Sequence, residues 1–401
     1  MNKINKDWKE VKLGDIGVFL RGFGISKKDL SDSGIPAIRY GDIYTKYDFI
    51  IKNISSFTNS KGTELKKGDI LFAGSGETIA EIGKSVAFID DFKALAGGDI
   101  IIFRPSIELD SAFLSYMLNT GKCRRDISVM GQGVIIAHIS SKSLQKLSVF
   151  LPSLEEQKRI ASALSKIDAY LENTVKLIEE KERFKRGIAK KLLTCKEGEN
   201  IPEARFKGFE DEWEIVKLGD MFDNFKEKNN EDKIILASTI DKGVIPNSLT
   251  ERKIIRKKES LSNYKLVKKG CFVISLMSFQ SGFEYSDYEG IISPAYTVLK
   301  PKIEMAHYFY KYYFKSFKFI KDLRPYAEGI RHGKQIKFKA CKDILVPYPS
   351  IEEQEKIGGY LSLLDEEIDN LKKQKELIKE MKRGAMQKLL SGEVRLVDNY
   401  D

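Results

Sequence analysis

Through two long stretches of this chain, apolar residues recur at alternating steps of four and three. The first series is Ile160, Leu164, Ile167, Leu171, Thr174 and Ile178, with Ile188 and Leu192 after polar steps at Lys181 and Lys185. The second is Ile357, Leu361, Leu364, Ile368 and Leu371, with Ile378, Ala385 and Leu389 after polar steps at Lys375 and Lys382. A period of 3.5 predicts a helix with a coiled-coil seam. The other faces are dense in Glu and Lys, as solvated helix faces are. About 40 residues at 1.5 Å each give rods of about 60 Å. Both stretches start with a capping box, Ser153 with Glu156 and Ser350 with Glu353: the hydroxyl accepts from a free N–H and the carboxylate bonds back to the cap. A proline precedes each serine and keeps the incoming chain extended.

The two stretches are copies. Pro152–Thr194 and Pro349–Ser391 align over 43 residues without a gap, with 18 identities. Two matched helices predict mutual packing, antiparallel if each carries its globular segment to the opposite end. Gly187 and Gly384 stand at equal positions and predict either a bend or close crossing, or fraying. Each helix follows a segment of short β-branched runs with Gly and Asn turns. These segments repeat weakly. Trp8-Lys9-Glu10-Val11-Lys12-Leu13-Gly14-Asp15 matches Trp213-Glu214-Ile215-Val216-Lys217-Leu218-Gly219-Asp220 at an offset of 205, against 197 in the helices. The second segment is therefore eight residues shorter. Apolar strands follow Gly68 and Gly270, later strands end at Pro105 and Pro301, and Ser111–Asn119 and Met305–Lys321 read as helical. The fold class is α+β: two mixed α/β globular domains separated by two long helices forming an antiparallel coiled coil, with a pseudo-two-fold internal repeat.

Charge sharpens this picture. The net charge of +10 divides as +4 in residues 1–150, +2 in 151–199, +7 in 200–347 and −3 in 348–401. The excess sits in the globular segments, which suits a polyanionic partner. The N-terminus has no apolar stretch of signal type, and the apolar run Cys271–Met277 is too short to span a bilayer, so a cytoplasmic protein is expected. Cys123, Cys195, Cys271 and Cys341 are widely spaced and read as reduced thiols. His138, His307 and His332 are isolated; no metal and no cofactor is expected.

These motifs in this order resemble the specificity subunit of type I restriction–modification systems. The resemblance rests on the doubled Trp…Leu-Gly-Asp openings, the Gly68-Asp69-Ile70-Leu71 strand, Ile292–Pro301 and the doubled Pro-Ser-x-Glu-Glu-Gln entries into long helices. It covers essentially the whole chain. Arg205-Phe206-Lys207-Gly208-Phe209 before Trp213 matches the family's lead-in; the first segment lacks one and starts almost at Trp8. The resemblance implies a target recognition domain at 1–150, a first spacer helix at 151–199, a second target recognition domain at 200–347, and a second spacer helix with a tail at 348–401. It further implies that each domain reads one half of a split, asymmetric site on double-stranded DNA. Two adenine methyltransferase subunits would dock on the frame, with room for translocating endonuclease subunits, and the chain itself would catalyse nothing.

Several strings imitate other chemistry. A phosphate loop ending Gly83-Lys84-Ser85 would need a glycine where Thr78 stands. Ser293-Pro294-Ala295-Tyr296 lacks the second proline of an amino-methyltransferase motif. Gly22-Phe23-Gly24 and Gly131-Gln132-Gly133 lack a strand–glycine–helix context and read as turns. A self-contained methyltransferase is thereby disfavoured. A coiled-coil scaffold that touches no DNA is the other alternative.

Turn-rich polar segments beside strands are the expected DNA readers, with Arg suited to guanine and Gln to adenine. In the first domain these are Arg21, Lys27, Arg39, Tyr40, Tyr44, Ser75, Thr78, Lys84 and Gln132. In the second they are Lys226, Lys228, Lys242, Ser278, Gln280, Tyr285, Arg324, Arg331, His332 and Lys334. Glu155, Glu156, Gln157 and their counterparts Glu352, Glu353 and Gln354 cap and solubilise the helix starts. The resemblance adds partner docking there.

Overall fold

The computed structural model describes residues 7–78, 81–131, 137–196, 198–250, 258–274, 281–328 and 335–396. The chain divides into two units, residues 1–175 with 374–401 and residues 176–373. Both divisions fall inside the long helices, Leu154–Leu193 and Ile351–Leu389.

In unit 1, strand Lys9–Lys12 pairs antiparallel with Ser148–Leu151. An antiparallel four-stranded sheet follows in the order Gly17–Arg21, Ile100–Pro105, Ile70–Ala73, Ser85–Ala87. Helix Ser111–Leu118 packs on it, and a second helix, Gly121–Met130, follows beyond the expected helical stretch Ser111–Asn119. Phe72, Phe103, Phe113 and Tyr116 fill the core between sheet and helix. Five short strands around Ile35–Ile38 and Leu95–Ala96 form an additional sheet.

Unit 2 repeats the frame. Glu214–Lys217 pairs with Leu345–Tyr348. The four-stranded sheet runs Phe222–Phe225, Thr297–Pro301, Phe272–Ile274, Phe283–Tyr285, the same topological order as in unit 1. The strands expected after Gly68 and Gly270 and before Pro105 and Pro301 are the central pair of each sheet. The predicted helix Met305–Lys321 is two helices, His307–Tyr313 and Phe317–Leu323, because Ser316 caps the second by accepting from the Phe319 N–H at 3.2 Å. Where unit 1 carries its five-stranded sheet, unit 2 has separate two-stranded pairs, Leu236–Thr239 with Gly243–Pro246 and Lys265–Val267 with Gly290–Ile292.

Within each unit the helix segments run antiparallel. In unit 2, Lys181 pairs with Glu367 at 2.6 Å, and Lys185 farther along the same helix pairs with the earlier Asp365. In unit 1, Asp168 pairs with Lys382 at 2.5 Å, and Tyr170 accepts from the earlier Gln374. Lys185 and Lys382, two of the four polar steps in the apolar seam, thus make the same ion pair in each unit. Each aspartate also accepts from a tyrosine of its own domain: Tyr116 to Asp168 at 2.6 Å, Tyr312 to Asp365 at 2.7 Å. Each lysine lies over an aromatic ring, Lys382 at 4.5 Å from the Phe49 centroid and Lys185 at 4.9 Å from that of Tyr312. An ion pair inside an apolar seam penalises other registers, since slippage would leave both charges without partners.

The helices run unbroken through Gly187 and Gly384, and a Cβ at either would meet nothing within 4 Å. The close approach lies elsewhere. A Cβ at Gly358 would come within 2.6 Å of the Phe309 nitrogen, so only glycine lets the second helix start lie against helix His307–Tyr313.

Candidate nucleic-acid interface

The helix starts hold their domains through one clasp, built twice. Ser153 and Ser350 accept from the Glu156 and Glu353 N–H groups at 3.2 and 3.3 Å, which is half of the expected capping box. The carboxylates do not return to the cap. Glu353, 1% exposed, takes Arg205 Nε and Nη2 at 2.8 Å each and the Trp213 indole N–H at 2.9 Å. Glu156, also 1% exposed, takes Arg395 Nε and Nη2 at 2.6 and 2.7 Å. Gln157 donates to the Pro152 carbonyl and accepts from the Asp110 N–H, both at 3.0 Å. Gln354 does the same with Pro349 at 2.7 Å and Ala306 at 2.9 Å.

This corrects the expectation of docking for four of the six residues. Glu156, Gln157, Glu353 and Gln354 are turned inward and occupied, while Glu155 and Glu352 stay exposed, Glu155 pairing with Arg159 at 2.9 Å. The clasp also accounts for the lead-in that the first domain lacks. Arg395-Leu396 does for unit 1 what Arg205-Phe206 does for unit 2. Arg395 takes the buried carboxylate, and Leu396 packs on the unit 1 core as Phe206 packs on that of unit 2. The closing Leu-Leu of each copy, Leu192-Leu193 in unit 2 and Leu389-Leu390 in unit 1, is buried in the same core as Trp213 and Trp8 respectively.

Four of the expected readers of unit 1 meet at a cleft of about 800 Å³ lined by Tyr40, Tyr44, Ser75, Lys84, Asn119 and Arg124, among others. Their roles differ. Tyr44 donates to the Ser75 carbonyl at 2.9 Å, and burial pushes its phenol up to about 12. Ser75 is buried and its hydroxyl meets His138 Nδ1 at 2.7 Å. The Lys84 ammonium donates to the Tyr47 carbonyl at 2.5 Å, just past helix Tyr40–Thr45, and burial lowers its pKa. Tyr44, Ser75 and Lys84 therefore build the inner wall, and none of the three presents a free reading group. Tyr40 is exposed at the cleft; Thr78 is exposed but is not part of its lining, and its hydroxyl donates to Glu81 at 3.0 Å. Arg39 pairs with Asp42 at 3.4 Å and so holds the helix that carries Tyr40. Arg124 lines the cleft from helix Gly121–Met130, where no turn signal marks it, and it too is part-buried, donating to the Ile82 carbonyl and to the Ser128 hydroxyl at 3.3 Å. Arg21, at the end of strand Gly17–Arg21, and Lys27, on the loop that follows, are exposed and do not line the cleft. Gln132 lies outside the described residues.

In unit 2, Lys226 and Lys228 are exposed and close enough to Lys265 to lower its pKa, after burial, which is the larger cause. Beside them the Phe225 ring lies under Lys268 at 5.7 Å and Lys300 at 5.5 Å. Lys268, Lys300 and Phe225 carry no local signal because two strands and a turn, distant in sequence, bring them together, while the neighbouring Lys265 ammonium is spent on the Tyr296 carbonyl at 2.6 Å. Like charges held this close gain most from a polyanion. Lys242 is exposed on the turn between Leu236–Thr239 and Gly243–Pro246, and Arg324 is exposed before helix-like turn residue Tyr326. Tyr285 is corrected: it is buried against Phe272 and Tyr308 and cannot face a duplex. Ser278, Gln280, Arg331, His332 and Lys334 lie outside the described residues.

The two units thus share one frame clasped to long helices and carry unlike polar surfaces. The profile of the type I restriction modification DNA specificity domain matches residues 5–182 and 210–380. The chain belongs to that family. It is 26% identical to a putative type I restriction enzyme MjaX specificity subunit of Methanocaldococcus jannaschii, over 99% of this chain and 96% of the relative. It is 25% identical to the MjaVIII specificity subunit of the same organism, over 98% and 94%. Among solved structures it is similar to the type I restriction-modification S subunit from M. genitalium, with 19% identity, 97% of each chain covered and a TM-score of 0.58. It is also similar to the HsdS subunit from Thermoanaerobacter tengcongensis, with 15% identity, 98% of each chain covered and a TM-score of 0.51. At these identities the solved structures speak to the fold.

Proposed function

We propose that this chain is the DNA-reading subunit of a type I restriction–modification complex and catalyses nothing itself. Residues 1–150 and 200–347 each read one half of a split, asymmetric site. Residues 151–199 and 348–401 set the spacer between the halves. The observation that carries this reading is the contrast between a frame built twice on the same plan and outer surfaces that share no plan. Two different surfaces on one frame suit two unlike half-sites better than a palindrome.

Two adenine methyltransferase subunits dock on the helices, and translocating endonuclease subunits join where the system has them; the complex works in the cytoplasm. With Glu156 and Glu353 occupied inside, the docking surface is better sought on exposed apolar helix residues. These are Tyr170, Leu377 and Met381 in unit 1 and Leu177, Phe184 and Leu363 in unit 2. Large apolar side chains left in water on a helix mark an interaction face.

The experiment is a genome-wide map of N6-methyladenine with and without this gene. A bipartite motif that disappears with the gene is the expected result, and exchange of residues 210–347 for another such domain should change one half only. Changes in both halves, or in neither, would overturn the two-headed reading. The coiled-coil scaffold alternative predicts no lost motif.

A further inference from the structure

We infer that Phe23 is a stacking wedge: in the half-site read by unit 1 it inserts between adjacent base pairs and partly unstacks them. This rests on the DNA reading above and adds a residue and a mode of contact to it.

Phe23 follows strand Gly17–Arg21 and is 64% exposed, the most exposed aromatic ring in unit 1 among the described residues. An exposed phenylalanine on a floppy loop would mean little, but this loop is fixed on both sides of the ring. Its own N–H donates to the Ala96 carbonyl at 3.3 Å, and the preceding Gly22 N–H to the Ile100 carbonyl at 2.8 Å. Gly24 follows at φ 58°, with the Gly98 N–H donating to its carbonyl at 2.6 Å. A Cβ there would meet the Lys61 carbonyl at 2.7 Å, so the turn is specific to glycine. Ile25 comes next at φ 51°, a conformation rare for a β-branched residue. It is held there because its side chain is buried with Ala37 and Leu95. Ser26 and Asp29 close a capping box, with the Ser26 N–H donating to Asp29 at 2.7 Å. The apolar residue one place past the turn is pulled in, and the one before it is left out.

Charge names the partner. Arg21, Lys27, Lys28 and Lys61 are exposed on the same loop or against it, and the one nearby carboxylate on the loop, Asp29, is committed to Ser26. A rigid aromatic ring among cations fits a duplex: the cations meet phosphates and the ring meets bases. A protein partner would want a larger apolar patch than one ring provides. Because the loop is already ordered, docking costs little conformational freedom.

The test uses the complex of this chain with its methyltransferase subunits and duplexes carrying the mapped methylation site. 2-Aminopurine is stepped through the half-site assigned to unit 1. Wild-type complex should show a fluorescence rise at one step away from the methylated adenine. Phe23→Ala and Phe23→Leu should lose it and bind about ten- to a hundred-fold more weakly, while Phe23→Trp should keep both properties. Arg21→Ala should instead lower the slope of log K against log salt by about one. If Phe23→Ala binds and unstacks like the wild type, the wedge is overturned and the DNA reading stands. A signal confined to the methylated adenine and unchanged in the variants would assign unstacking to the methyltransferase and also overturn it. Absence of site-specific binding by the wild-type complex would overturn the DNA reading and the wedge with it.

Discussion

Replacing Arg395 by alanine should loosen unit 1 while leaving unit 2 intact. The Glu156 carboxylate is 1% exposed, and its two side-chain partners are the Arg395 Nε and Nη2 groups at 2.6 and 2.7 Å. Removing the arginine leaves a buried charge without a counter-ion, a change that costs about 3–5 kcal/mol at fully buried sites. The Arg395 side chain is 28% exposed, so water can enter part of the vacated space and the lower end, about 3 kcal/mol, applies. At the matching site Glu353 would keep the Trp213 indole donor after Arg205→Ala, which should soften that loss. The cost should be reversible by chemistry rather than by shape: Glu156→Gln in the Arg395→Ala background removes the charge and should recover most of the stability. The chain has two tryptophans, Trp8 and Trp213, one in the core of each unit. Urea unfolding followed by fluorescence in W213F reports unit 1, and in W8F unit 2. A shift below about 0.5 kcal/mol for Arg395→Ala, within the range of ordinary surface substitutions, would refute the clasp. So would failure of Glu156→Gln to restore the loss.

Three further outcomes follow from the same geometry. Lys382→Met leaves Asp168 with Tyr116 alone and should destabilise unit 1 by about 2–3 kcal/mol, whereas Lys185→Met should cost less because Asp365 is more exposed; parallel melts of the two variants measure this. Burial holds the Glu284 carboxyl up at about 6 despite its ion pair with Lys315. Since the folded value is above the unfolded one, that contribution to stability is full below about pH 4.5 and is lost as pH rises through about 6. Glu284→Gln should flatten the stability–pH curve of unit 2 in that window. Gly358→Ala should strain unit 2 by about 1–3 kcal/mol through contact with the Phe309 backbone, while Gly384→Ala should be neutral or slightly stabilising, as helix propensity alone would have it.

Much of the frame was legible in the sequence. The 3.5-residue period marked the seam, and Ile160, Leu164, Ile357 and Leu361 are fully buried as it required. The Gly-then-apolar and apolar-then-Pro signals found the central strands of both sheets, because a strand buried on both faces reads as a continuous apolar run. The site was less legible. Lys84, Ser75 and Tyr285 have the chemistry of readers, yet they are spent on internal contacts whose partners lie tens of residues away. Exposure cannot be read from residue type when the turn that decides it depends on a distant contact.

What the sequence determined by itself was periodicity, caps and duplication: which helices form, which face is apolar, and that one frame is used twice. Those are local or repeated signals, and they do not need a partner to be recognised. The tertiary structure decided what each polar exception in that frame does. Glu156 meets Arg395 across 239 residues, Lys185 and Lys382 meet aspartates on the opposite helix, and Ile25 is drawn into the core so that Phe23 is left in water. The pairing of a buried charge and the direction of a loop side chain are fixed by groups far away in the chain, and only the folded chain brings those groups within reach.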